Sequence, residues 1–168
     1  MYVFTPVMTA ADAPSPFVVS ASSAFGGFVA WKALDWIPGD GAGWLANATT
    51  GWIKIDCGAA IAITGYSLIG GFGYATTSPN DWVLEGSNDD SSWTTLDTQT
   101  DITSWASGTP KTYTLAAEAS YRYYRITISE NNGHASYCGI GEWLFVRPTP
   151  LTGGGFPLGA VRKLMKRT

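Results

Sequence analysis

Asp35 and Asp40 stand in a loop, residues 35–43, that also holds Pro38, Gly39, Gly41 and Gly43 and is closed by Trp44. A hard cation such as Ca²⁺ takes about six to eight oxygens, carboxylate and backbone carbonyl, from loops of this kind. The plainer reading is a solvated acidic loop. His134 and Cys138 lie four apart in a glycine-containing loop, but a Cys–His nucleophile pair would also need an orienting third group and an oxyanion hole. His134 is the only histidine, which excludes a metal centre built from several. The other carboxylates are scattered, and only the fold decides whether two of them meet as a hydrolytic pair. Aromatic rings in loops offer a different chemistry. Phe25 and Phe28 flank a Gly-Gly pair, Phe72-Gly73-Tyr74 opens a second loop, and residues 131–137 form a polar loop ending on Tyr137. Sugars present C–H faces and hydroxyl rims, so a stacking ring beside planar hydrogen-bonding side chains suits them.

These groups need a scaffold, and residues 51–58 are its clearest element. Ile53, Ile55 and Cys57 share one face of a period-2 pattern and Trp52, Lys54 and Asp56 the other, as in a half-buried strand. Further strands are expected at residues 17–21, 61–71, 82–87, 112–115, 121–129 and 139–146. Tyr66 and Leu68, Trp82 and Leu84, and Tyr124, Ile126 and Ile128 mark same-face sets. Residues 29–34 suit one helical turn, and residues 87–92 an Asx-type turn. Twenty Gly and nine Pro supply turns, and eight Trp, eight Tyr and seven Phe favour strands, so the class is all-β. At 168 residues, 45% hydrophobic and 14% charged, the chain makes one packed domain.

Charge and composition exclude several partners. Before residue 160 the chain carries six basic against thirteen acidic residues, a net −7 with no basic stripe, which argues against nucleic acid. No apolar run reaches membrane-spanning length, so no membrane insertion is expected. The N-terminus lacks a basic region followed by an apolar stretch, and no signal peptide is expected. Asn47-Ala48-Thr49 matches a glycosylation acceptor but is discounted for that reason. Cys57 and Cys138 do not make a disulfide framework and read as two free buried thiols. Residues 1–16, with Pro6, Pro14 and Pro16, read as an extended arm without a core of its own. Residues 148–168 read as a linker and basic tail. Val161, Leu164 and Met165 fall at helical spacing there, with Arg162, Lys163, Lys166 and Arg167 on other faces, a segment expected to bind another chain.

The order of landmarks resembles the discoidin, or coagulation-factor C-type, family, which includes galactose-binding carbohydrate modules. Lys32-Ala33-Leu34-Asp35 followed by Trp44 is similar to that family's opening, and Trp52-Ile53-Lys54-Ile55-Asp56-Cys57-Gly58 to its "W-I-x-I-D-L-G" strand. Residues 63–68 resemble the next strand. Residues 84–93, with Ser87-Asn88-Asp89 and Trp93, resemble "S-N-D-G-x-x-W". Tyr121-Arg122-Tyr123-Tyr124-Arg125-Ile126 resembles "x-R-Y-V-R-I", and Gly139-Ile140-Gly141-Glu142-Trp143 the closing "G-L-A-E-I". The likeness covers residues 17–146. It departs at Trp36, where the family has glycine, in the loop before Trp44, which lacks the usual threonine, and in the absent terminal cysteines.

The resemblance implies a jelly-roll β-sandwich of about eight antiparallel strands, here residues 17–147, with ligand loops at one end and no catalysis. It implies a structural Ca²⁺ site of Asp35, Asp40, Glu142 and the Lys32 carbonyl. It implies a glycan site drawn from Phe25, Phe28, Trp36, Phe72, Tyr74, Asn131, Asn132, His134 and Tyr137. Trp52, Trp82 and Trp93 match framework positions and are expected in the core. The functional expectation is a non-catalytic carbohydrate-binding and adhesion module on the tail or capsid surface of a bacteriophage virion. It would touch host surface glycan, be made in the host cytoplasm, and be held to other virion proteins in an oligomeric assembly by its terminal arms. The alternative is a structural decoration or adaptor protein binding other virion proteins, and a third reading is a cytosolic bacterial sugar-binding module.

Overall fold

A computed structural model describes residues 2–37, 43–71 and 75–148. Eight strands follow in chain order: β1 Tyr2–Phe4, β2 Val18–Ala21, β3 Trp44–Ala46, β4 Gly51–Gly70, β5 Pro79–Ser87, β6 Thr94–Gln99, β7 Pro110–Asn131 and β8 Cys138–Arg147. Every pairing is antiparallel, in the path β1-β8-β4-β7-β5-β6, with β2 added on β4 and β3 on β8. Helical structure among the described residues is limited to two 3₁₀ turns, Ala30–Leu34 and Ala75–Thr77. The all-β expectation holds.

Two long strands make one hydrogen-bonded path into two layers. The first part of β4, through Asp56, pairs with β2 and with the end of β7; its last part pairs with the start of β7 and with β8. Between these parts the register shifts twice, at Asp56/Ile61 and Ile63/Gly65. Such bulges bend a strand and raise its twist. The inner faces then meet: Trp82 of β5 donates from Nε1 to the Tyr66 hydroxyl of β4 at 2.9 Å, and Tyr66 donates to Asp97 Oδ2 of β6 at 2.7 Å. The rings of Tyr124 and Phe145 lie 5.2 Å apart. Ile53, Ile55, Cys57, Tyr66, Leu68, Trp82, Leu84, Tyr124, Ile126 and Ile128 are all buried, as their alternation predicts. Cys57 and Cys138 are free and buried.

Several expectations change. Residues 51–58 and 61–71 belong to one bulged strand, as do 112–115 and 121–129. The N-terminal residues are no free arm. Strand β1 pairs with the end of β8, Thr5 Oγ1 donates to the Trp143 carbonyl at 3.1 Å, and Val3, Thr5 and Met8 are buried. Of the three tryptophans expected in the core only Trp82 is there. Trp52 sits half-buried on the outer face with the Lys54 ammonium 5.7 Å from its ring, and Trp93 covers the Arg125 guanidinium at 4.0 Å. Alternation opposite Ile53 puts Trp52 outside, and cation–π contact holds it there. Residues 149–168, with the expected partner segment Val161 to Arg167, lie outside the described residues.

The Tyr124 hydroxyl fastens the bend. It accepts from the Tyr121 N–H at 3.0 Å and faces the carbonyls of Ile61 and Ala119, at the register shifts of both long strands. Tyr124→Phe keeps the ring and strands these groups in a buried place. It should lower stability by about 1–3 kcal/mol, read as a reduced urea midpoint with an unchanged slope.

Candidate functional site

Four loops converge at the end of the sandwich where β4 and β5 begin and β7 ends. Residues 22–28 are tied to β3: Phe25 N–H donates to the Leu45 carbonyl at 2.8 Å, Leu45 N–H to the Phe28 carbonyl at 3.2 Å, and Trp44 Nε1 to the Ser23 carbonyl at 2.8 Å. The Cys138 N–H donates to the Ala48 carbonyl at 2.7 Å, which joins the 131–138 loop to the β3–β4 turn. His134 N–H donates to the Thr76 carbonyl at 3.2 Å, which brings in the second 3₁₀ turn.

On this base three rings line up. Phe25 and Tyr137 are 4.5 Å apart between centroids, and Tyr137 and His134 are 5.1 Å apart and stacked. Phe25 is 41% exposed, a large apolar ring left in water. His134 Nδ1 accepts the backbone N–H of Ser136 at 3.2 Å and of Tyr137 at 3.1 Å. In the neutral imidazole this places the proton on Nε2, as a donor. The site therefore combines a ring platform with a loop whose backbone is tied to the His134 ring.

The two asparagines expected beside these rings hold the loop together. Asn131 Nδ2 donates to the carbonyls of His134 and Tyr137, each at 2.8 Å, and its Oδ1 accepts from the Gly133 N–H at 2.8 Å. Asn132 Nδ2 meets the carbonyls of Ser78, Pro79 and Ile102 at 3.1, 2.9 and 3.1 Å. Both side chains are spent on backbone and position the rings. Phe28 is half-buried, and Phe72 and Tyr74 lie outside the described residues. The structure thus brings Phe25, His134 and Tyr137 together and gives Asn131 and Asn132 a supporting role.

The expected metal ligands make a second, buried group. Glu142 on β8 is 1% exposed, and neither carboxylate oxygen has a hydrogen-bond partner among the described residues. Asp35, at the end of the first 3₁₀ turn, is buried beside it and accepts the Ile37 N–H at 3.0 Å. Burial, then the Asp35 charge, pushes the Glu142 carboxyl up to about 9; burial also raises Asp35. Two facing carboxyls without a counter-ion are a costly burial that a cation would relieve. Lys32 lies in the same turn, and its charge opposes the rise at Asp35. Asp40 lies outside the described residues, and among those described no three acidic, His or Cys side chains cluster. Trp36, half-buried, follows Asp35 with φ 62°, a left-handed conformation that glycine adopts without strain.

Neither thiol is an activated nucleophile. Burial pushes the Cys138 thiol up to about 12, the reverse of an activated nucleophile, and Cys57 likewise. Outside the loops, sequence reasoning missed the outer-face ion pairs Lys54–Asp90 at 2.6 Å, Arg122–Asp56 at 2.8 Å and Arg125–Glu85 at 2.9 Å. The alternation of residues 52–56 and 123–127 carried the signal for them.

A match to the F5/8 type C domain family covers residues 18–143. The chain belongs to this family. Its fold is that of solved carbohydrate-binding modules. One is a Clostridium perfringens family 32 module solved with GalNAc-β-1,3-galactose: TM-score 0.65 and 14% identity over 77% of this chain and 94% of that one. Chitosan-binding module 1 from a Paenibacillus sp. IK-5 chitosanase/glucanase has a TM-score of 0.62 and 21% identity over 76% and 92%. A curated relative, the Drosophila melanogaster E3 ubiquitin-protein ligase Ufd4, is 38% identical over 88 residues; the match spans 51% of this chain and 3% of that protein.

Two outcomes follow from this F5/8 type C site. Asn132→Ala takes the donor from the Ile102 carbonyl, while the Ser78 carbonyl keeps the Asn132 N–H and the Pro79 carbonyl keeps Trp105 Nε1, and should cost about 1 kcal/mol of stability in a urea melt. The metal-free protein should also lose stability as pH rises. Folded Glu142 holds its proton to about pH 9, whereas the ordinary value is 4.5. The stabilising contribution is therefore complete below pH 4.5 and lost through pH 9. Melting temperatures in chelator should fall between pH 5 and 8.5, and the gain from added Ca²⁺ should grow over the same interval.

Proposed function

We propose that this F5/8 type C domain is a non-catalytic glycan-binding module whose ligand stacks on the Phe25–Tyr137–His134 platform. The row of three rings, Phe25 exposed and Tyr137 and His134 half-buried, set on a hydrogen-bonded loop base at one end of the sandwich, carries the reading. Two neighbours of the same fold support it by their ligands: GalNAc-β-1,3-galactose in one, chitosan by name in the other. The free, raised thiols speak against a cysteine nucleophile. A structural Ca²⁺ held by Asp35 and Glu142 belongs to the same proposal, since it would neutralise the carboxyl pair and fix the loop that carries Trp36.

The setting proposed with it is a virion surface, with residues 151–168 as the anchor to other particle proteins and host polysaccharide as the ligand. Deleting residues 151–168 should leave the melting temperature unchanged and prevent co-assembly with particle partners; normal assembly would remove the anchor role.

A glycan array probed with the full chain tests the main reading. Binding to at least one galactose-, N-acetylgalactosamine- or glucosamine-containing glycan is expected. Phe25→Ala and Tyr137→Ala should each weaken it by about 10- to 100-fold, the range of a buried anchor, with little change in melting temperature. Failure to bind any glycan, with tight binding to a particle protein, would favour a structural adaptor instead.

A further inference from the structure

A cleft of about 410 Å³ opens in the sandwich where β7 bulges away from β4, and no role described so far uses it. It lies far from the aromatic platform. Strand β5 runs from Pro79, beside the platform loops, to Ser87, next to Asn88 on the cleft wall. Its nine residues set the two places about 25–30 Å apart.

The cleft is built from backbone upward. Leucines 96 and 115 form its apolar depth, Leu115 being buried. The Tyr121 ring lies against β5 at Gly86, where any side chain would collide with it. Tyr121 also meets Tyr124 edge-on at 6.2 Å, so its ring is held from two sides. Register shifts in β7 push Ala117 and Glu118 out to the rim, both exposed. Opposite, Asn88 on the cleft wall accepts the Arg122 N–H at Oδ1 at 3.0 Å, which fixes the plane of its amide. Glu118 makes no ion pair among the described residues.

We infer that this cleft is a second ligand site, for a single uncharged saccharide ring. Its size falls in the range of small-molecule sites, apolar with a few fixed polar groups. A ring wall suits a C–H face. A carboxylate acceptor and an oriented amide donor on the rim suit hydroxyls, each of which both donates and accepts. The lone carboxylate repels anions, and the apolar depth gives a small cation no further oxygens. The site does not depend on the platform, and a chain with both could hold one polymer at two points, where linkage raises avidity without new contacts.

Amide chemical shifts of the full chain, titrated with methyl galactoside, methyl glucoside and N-acetylglucosamine to about 50 mM, reach affinities in the millimolar range. Residues 115–121 and Leu96 should shift saturably with at least one of them. The shifts should persist in Tyr137→Ala, which removes the platform. They should vanish in Ala117→Trp, which fills the cleft from its exposed rim and leaves the core untouched, while any shifts in residues 131–138 remain. Glu118→Gln, isosteric and on the surface, should weaken the cleft shifts several-fold at an unchanged melting temperature. Absence of saturable shifts at residues 115–121, or shifts that Ala117→Trp leaves in place, overturns the second site. Loss of array binding in Phe25→Ala with intact cleft shifts separates this outcome from the fate of the platform.

Discussion

The pairing of β4 with β7 is the constraint on which the rest depends. These two strands, 20 and 22 residues long, run together through both layers, and every other strand attaches directly or through a neighbour to this pair. Their bulges decide where the sheet bends, and the Tyr124 hydroxyl sits at both bends. The same pairing sets the two ends of the sandwich. Where the strands begin and finish in register, the loops gather into a ring platform. Where β7 carries extra residues out of register, a cleft is left between layers.

Charge is handled differently on the two sides of this pair. On the outer face, Lys54, Arg122 and Arg125 each meet a carboxylate and lie near an aromatic ring, in contact with water. Exposed pairs of this kind add little stability, and here each cation also covers the ring of Trp52, Tyr123 or Trp93. Inside, Asp35 and Glu142 face each other with no ion pair to either among the described residues, although the Lys32 charge acts against the rise at Asp35. Burial of two facing carboxyls costs stability by itself, which is why a divalent ion belongs to the proposed function.

Much of this architecture was legible in the chain. The alternation of Ile53, Ile55 and Cys57, and of Tyr124, Ile126 and Ile128, read directly as buried faces, because a half-buried strand must repeat every second residue. The bulges broke that period, so each long strand read as two. Strands β1 and β3 have three residues each and β6 six with little apolar content, too short or too polar for a pattern. At the site, Phe25, His134 and Tyr137 could be named as loop aromatics, but the meeting of Phe25 with Tyr137 is a contact across more than a hundred residues. Asn131 and Asn132 looked like ligand groups for a similar reason: carbonyls of Ser78 and Ile102 are invisible as partners until the chain is folded.

Strand β1 lies beside the far end of β8, with Tyr2 opposite Arg147. The chain thus enters and leaves the sandwich at neighbouring points, and β8 starts at Cys138, next to the platform loops, nine residues earlier. Entry and exit are therefore separated from the rings by the length of one strand, about 30 Å. A domain laid out in this way can be spliced into a surface turn of a larger protein as a plug is set in a socket. Its host would hold it by the base, and the binding surface would face outward without any hinge to turn it.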